Sequence, residues 1–115
     1  MEIKIAIIGI GYVGLPLLVK LSKFYDVLGF DIDQSRISEL KEGFDRTGEL
    51  NAEELDQLNN ISLSSNREDL KDADVYIVTV PTPVDDFNHP DLRIIKSVCL
   101  LVGSYLKQNN IVIFE

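Results

Sequence analysis

A run of apolar, mostly β-branched residues at 3–8 stops abruptly at Gly9-Ile10-Gly11-Tyr12-Val13-Gly14, and an amphipathic stretch follows directly. No other feature restricts the fold of this chain so closely. Glycine spacing of the form G-x-G-x-x-G is weak on its own. Set between a strand and a helix, with an acidic residue ending the next strand, it marks a dinucleotide-binding turn. The three glycines then do different things. Gly9 permits the tight turn, Gly11 lets a pyrophosphate approach the backbone, and Gly14 lets the helix pack against the strand. The unpaired N–H groups of the first helical turn, aided by the helix dipole, face the anion. The alternative is a glycine turn with a structural role only.

Four further apolar runs fall at 27–30, 61–63, 75–80 and 111–114. They are near-continuous rather than alternating, as expected of strands covered on both faces. Helical spacing separates them. Leu17, Leu18, Leu21 and Phe24 predict a helix over 12–23, with Pro16 in its first turn, where a missing N–H costs nothing. Ile37 and Leu40 give a second helix over 34–41, stopped by Gly43, and a short acidic helix over 52–58 follows. Asn66 is placed to cap a turn through Leu70. Ile95, Val98, Val102 and Leu106 form one stripe of a helix over 92–106. Strands alternating with helices in this way predict an α/β fold: a Rossmann-type, doubly wound parallel sheet with the first strand near its centre, in one domain over 1–115. Residues 43–60, with five acidic side chains, read as a solvated excursion. The sequence stops at Glu115 on an apolar run without a covering helix, so the expectation is a fragment of a longer enzyme, truncated at its fifth strand.

Asp31 lies at the tip of the second predicted strand, where a carboxylate accepts hydrogen bonds from an adenosine ribose diol and repels a 2′-phosphate. NAD is therefore expected over NADP. Arg36 tempers that preference, since its guanidinium could pair with a phosphate or stack on adenine. Asp33 reads better as the cap of the next helix than as a ligand contact. Val80-Pro81-Thr82-Pro83 leaves the fourth strand at the ligand side of such sheets, stiff and carrying one hydroxyl; a stiff turn with Thr82 solvated is the plainer reading. Cys99 sits mid-helix among Val98, Leu100 and Leu101 and is expected to be buried packing, while His89 reads as a loop residue. No metal-ligand spacing and no catalytic pair emerge, so the residues bind without catalysing.

Charge and composition narrow the remaining classes. Eleven basic residues against nineteen acidic ones give a net charge of −8, with no basic face for nucleic acid. One cysteine allows no internal disulfide, and no apolar run is long enough for a membrane span. A cytoplasmic location is expected.

Ile5-Ala6-Ile7-Ile8-Gly9-Ile10-Gly11-Tyr12-Val13-Gly14-Leu15-Pro16, then Gly29-Phe30-Asp31-Ile32-Asp33, then Val78-Thr79-Val80-Pro81-Thr82-Pro83, together resemble the N-terminal domain of the UDP-glucose/GDP-mannose dehydrogenase family. The resemblance covers essentially the whole chain. Asp45-Arg46-Thr47-Gly48-Glu49 looks like the branch acting on UDP-N-acetylhexosamines in capsule and O-antigen synthesis. Such enzymes oxidise C6 of a nucleotide sugar from alcohol to carboxylate with two NAD. The resemblance implies cofactor contacts from Val13 through the backbone, Asp31 at the ribose, Arg36 on the adenosine side and Thr82 near the nicotinamide half. It also implies that catalytic cysteine, lysine and sugar site lie in later domains, that the UDP-sugar binds through those domains, and that the full-length enzyme is a homo-oligomer. Cys99 does not match the family nucleophile, and a role for Glu115 is doubtful. Two other readings stay open: a non-catalytic nucleotide-sensing module, and another NAD-dependent dehydrogenase acting on hydroxy acids.

Overall fold

The computed structural model describes residues 2–115. Five parallel strands, β1 (Lys4–Ile8), β2 (Asp26–Phe30), β3 (Ser62–Ser64), β4 (Val75–Val78) and β5 (Ile111–Phe114), form one sheet in the order β3-β2-β1-β4-β5. Four helices connect them: α1 (Gly14–Leu21), α2 (Gln34–Lys41), α3 (Ala52–Gln57) and α4 (Arg93–Gly103). Short 3-10 turns at Leu58–Asn60 and Arg67–Leu70 complete the connections.

The unbroken apolar run of β1 is explained by burial on both faces. Ile5 and Ile7 pack with Leu15 and Leu18 of α1 and Ile37 and Leu40 of α2. Ala6 and Ile8 point the other way, to Phe30, Tyr76, Val78 and the Val98–Val102 face of α4. Tyr76 is fully buried there, and its hydroxyl donates to the Leu70 carbonyl at 2.6 Å, so no polar atom is stranded. Register then sets the site. Ile8 pairs with Phe30 on one side and with Val78 on the other, so β1, β2 and β4 end at one level. Gly9, Asp31 and Thr79 emerge side by side.

Local signals place α2 where the sequence predicts it. The Asp33 side chain accepts from the amides of Ser35 and Arg36, a cap worth about 1 kcal/mol. The far end closes on Gly43 at φ +87°, with Gly43 N donating to Leu40 and Phe44 N to Glu39. Asn51 and Glu54 form a capping box on α3.

Other boundaries differ from expectation. Helix α1 starts two residues late, because residues 11–13 remain in the turn, and it ends at Leu21, leaving Phe24 78% exposed. Strand β4 stops at Val78, where Thr79 turns its hydroxyl onto the glycine loop. Helix α4 ends at Gly103, so Leu106 lies beyond it and is exposed; Leu101 takes the inward place. With Val98, Leu101 and Val102 facing the sheet, Cys99 and Leu100 face outward, and Cys99 is exposed rather than buried. Residues 43–60 are not simply solvated either: Leu50 and Leu58 enter the core and Asp45 is buried. No helix among the described residues is long and apolar enough to cross a membrane.

Candidate functional site: a cleft over the glycine loop

The level ends of β1, β2 and β4 open a cleft of about 320 Å³. Gly9, Gly11, Tyr12 and Val13 form one wall, Asp31 another, and Thr79, Val80, Pro81 and Thr82 a third, with Glu115 at the rim. Eight of the residues singled out in the sequence thus meet in one place. Ile10, Gly14 and Arg36 do not line the cleft; they lie behind the loop and shape it.

Space around the three glycines differs in kind. Gly9 has φ +97°, which an L side chain rarely adopts, and a Cβ there would press on Val80. A Cβ on Gly14 would collide with the Gly9 carbonyl oxygen and come within 2.5 Å of Thr79 Oγ1, so α1 can sit this close to β1 only through glycine. Around Gly11 a Cβ would meet nothing within 4 Å. That opening faces no other protein group.

Several polar groups on the far side of the loop are engaged. Thr79 Oγ1 donates to the Gly9 carbonyl at 2.6 Å. The Ile10 amide donates to Asp31 Oδ2 at 3.0 Å, and the Ile10 carbonyl accepts from Arg36 Nε at 2.7 Å. By contrast, among the described residues the amides of Gly11, Tyr12, Val13 and Gly14 have no hydrogen-bond partner. Helix α1 has no side-chain cap and no acidic residue in its first turn. A helix N-terminus left this way is a standing anion site, because each unpaired amide adds to the positive end of the dipole.

Asp31 retains capacity for a ligand. An ionised carboxylate offers about four acceptor positions. Two are used, by the Ile10 amide on Oδ2 and the Asp33 amide on Oδ1 at 3.0 Å. Two remain, the number a ribose diol needs.

Arg36 is 4% exposed and its guanidinium is tied down. Beyond Ile10 it reaches Glu39 at 2.8 Å and Asp45 at 3.0 Å through Nη1. It therefore offers no open face for stacking in this arrangement. Asp45 is gripped by its own turn, accepting from Thr47 Oγ1 at 2.6 Å, from Thr47 N at 3.0 Å and from the amides of Glu49 and Leu50. Burial alone would raise its pKa, but hydrogen bonds from Thr47, Arg36 and Leu50 outweigh burial and hold it below the ordinary value. A depressed folded pKa gives stability that is complete above the unfolded value of 3.8 and is lost as pH falls through the folded one. Exchange protection of the Thr47 and Leu50 amides should accordingly fall on acidification below about pH 4, before protection in β1 does. Equal loss in both segments would contradict this.

A second, larger cavity of about 660 Å³ adjoins the same strand tip. Phe30 and Ile32, which flank Asp31 in sequence, line it together with Ile94, Val98 and Leu101 of α4. Sequence reasoning missed this cavity, as it missed Thr79; an isolated hydroxyl ending an apolar strand was the only signal for the latter. His89 lies exposed in the loop after β4, 3.6 Å from Asp85, outside both cavities. Among the described residues, no group of three His, Cys, Asp or Glu is positioned to hold a metal ion.

Comparison with known proteins agrees with this fold. Residues 3–115 match the model of the UDP-glucose/GDP-mannose dehydrogenase family, NAD binding domain. The chain is 46% identical over 114 residues to UDP-N-acetyl-D-glucosamine 6-dehydrogenase of Pseudomonas aeruginosa, covering 99% of this chain and 27% of the relative. It is 45% identical over 115 residues to Protein CapL of Staphylococcus aureus, covering 100% and 27%. Among solved structures, the UDP-D-ManNAc dehydrogenase of Pyrococcus horikoshii superimposes with a TM-score of 0.86 at 30% identity, over 98% of this chain and 28% of that one. The chain thus spans about a quarter of the length of the relatives it matches. Fold, glycine loop and family match converge: the chain belongs to the UDP-glucose/GDP-mannose dehydrogenase family, as its NAD binding domain.

Proposed function

We propose that residues 1–115 are the cofactor-holding domain of a nucleotide-sugar 6-dehydrogenase, which oxidises the C6 alcohol of a UDP-N-acetylhexosamine to the uronic acid with two NAD, in the cytoplasm, for surface polysaccharide synthesis. The observation that carries this reading is the uncapped N-terminus of α1, with four unpartnered amides beside a half-used Asp31 carboxylate. The 46% identity to a UDP-N-acetyl-D-glucosamine 6-dehydrogenase supports the choice of sugar.

The residues present fit NAD. The amides of residues 11–14 bind the pyrophosphate, and Gly11 keeps the way to them open. Asp31 takes the two adenosine ribose hydroxyls on its two remaining acceptor positions. The adenine enters the apolar cavity between Phe30, Ile32 and α4, next to that ribose. Val80, Pro81 and Thr82 line the nicotinamide half, a stiff wall with one hydroxyl. When bound, NAD supplies the hydride acceptor for the sugar carbon. Thiol, proton-transfer groups and sugar pocket belong to the rest of the enzyme, which works as a homo-oligomer; Cys99, on the outer face of α4, is no part of the cleft.

Asp31→Asn should weaken NAD about tenfold by replacing one charged acceptor, and should narrow the preference over NADP. Titration with both cofactors checks it; an unchanged ratio removes Asp31 from the ribose. The activity itself is tested in the full-length enzyme by counting NADH formed per UDP-N-acetylglucosamine consumed, with UDP-glucose as comparison. A ratio of two with the acetylated sugar preferred is expected. No turnover of either sugar, despite tight NAD binding, would overturn the assignment.

A further inference from the structure

Residues 45–49 resemble the branch acting on UDP-N-acetylhexosamines, yet they touch neither cavity. They fold against α2, where Asp45 meets Arg36 with only 2% of its side chain exposed.

The connection runs through one peptide unit. The Ile10 carbonyl and the Gly11 amide belong to the same planar group and point in opposite directions. Holding the carbonyl at the back aims the amide at the cleft. Gly11 has no Cβ to resist a flip of that unit, and space around it is open, so the orientation must be imposed from outside. Arg36 imposes it, donating from Nε to the Ile10 carbonyl at 2.7 Å. Its Nη2 is buried with no partner, so the guanidinium is oriented for the carbonyl and the carboxylates at the expense of its remaining donor.

Arg36 in turn needs a fixed counter-charge. Glu39 is shared with Arg46, whose Nε lies 2.6 Å from the same oxygen that Arg36 uses. Asp45 is the buried partner, and four donors from Thr47, Glu49 and Leu50 leave it one position to occupy. We propose that Asp45 is a positioning residue for the dinucleotide: through Arg36 it holds the Ile10–Gly11 peptide with its amide toward the pyrophosphate. The turn at 44–50 therefore sets cofactor affinity from behind the loop. This rests on the reading that NAD occupies the glycine-loop cleft.

The test compares NAD with adenosine, which reaches Asp31 and the apolar cavity but not the loop amides. Asp45→Asn should weaken NAD about tenfold and leave adenosine within about twofold, and Arg36→Met should weaken NAD at least as much. The double variant should bind NAD no worse than Arg36→Met alone, because the two act in series. A loss of general stability would lower both ligands together. Independently of any variant, NAD added to the unaltered chain should shift the Arg36 Nε–H and the Thr47 and Leu50 amide resonances, although none of these lies in the cleft. Loop amides that shift while those three stay fixed would overturn the proposal, as would native NAD affinity in Asp45→Asn or losses that multiply in the double variant. If NAD is lost in Gly11→Val yet untouched in Asp45→Asn, only the role of Asp45 fails; if the unaltered chain does not bind NAD, the reading of the cleft fails, and this proposal with it.

Discussion

Gly11→Val should abolish NAD binding while the domain stays folded. The backbone at Gly11 is outside the left-handed region and a Cβ there meets nothing within 4 Å, so valine fits the empty loop. What it fills is the approach to the amides of residues 11–14. Loss of two hydrogen bonds to a charged pyrophosphate costs about 3–6 kcal/mol, or roughly a hundredfold to ten-thousandfold in affinity. Calorimetric titration should find no measurable binding, with a melting temperature within a few degrees of the native chain. Undiminished affinity would remove the pyrophosphate from this loop.

Gly14→Ala, three residues on, should do the reverse and damage the fold first. Its new methyl group collides with the Gly9 carbonyl oxygen and presses on Thr79 Oγ1. Neither can yield cheaply: one is backbone in a turn at φ +97°, the other is bonded to that same carbonyl. Helix α1 must lift from β1, and Leu15 and Leu18, both fully buried, lift with it. A cost of about 3 kcal/mol follows from overpacking, on the order of 10 °C in melting temperature for a domain of this size. Gly103→Ala is the control, since a Cβ there also meets nothing within 4 Å; it should be neutral or slightly stabilising. Equal melting temperatures for the two alanine variants would contradict the close packing inferred at Gly14.

Features encoded over a few neighbouring residues were legible in the sequence. The glycine turn, the Asp33 cap, the Gly43 stop and the covered strands β1, β2 and β4 each follow from local chemistry, and chain order with right-handed crossovers then puts β1 at the centre. Strand β5, an equally apolar run, is an edge strand left largely exposed. Features that depend on distant partners were not legible. Periodicity put Leu106 on the buried stripe of α4, but the helix ends at Gly103 and Leu101 completes the face instead. That same rotation turns Cys99 outward. Acidic composition argued that residues 43–60 are solvated, whereas Asp45 is buried because Arg36, nine positions earlier on α2, needs a counter-charge behind the loop. The larger cavity was invisible for a similar reason: Ile32 and Ile94 look ordinary in sequence and meet only when β2 and α4 are laid on one sheet.

The central prediction is an NAD pyrophosphate held on the amides of residues 11–14. Adding NAD to the isotopically labelled chain and following backbone amide resonances decides it. The largest shifts are expected at Gly11, Tyr12, Val13 and Gly14, with downfield movement as charged acceptors reach them, and smaller ones at Asp31 and Thr82. Binding with those four amides unmoved, or shifts gathered elsewhere on the sheet, would contradict it.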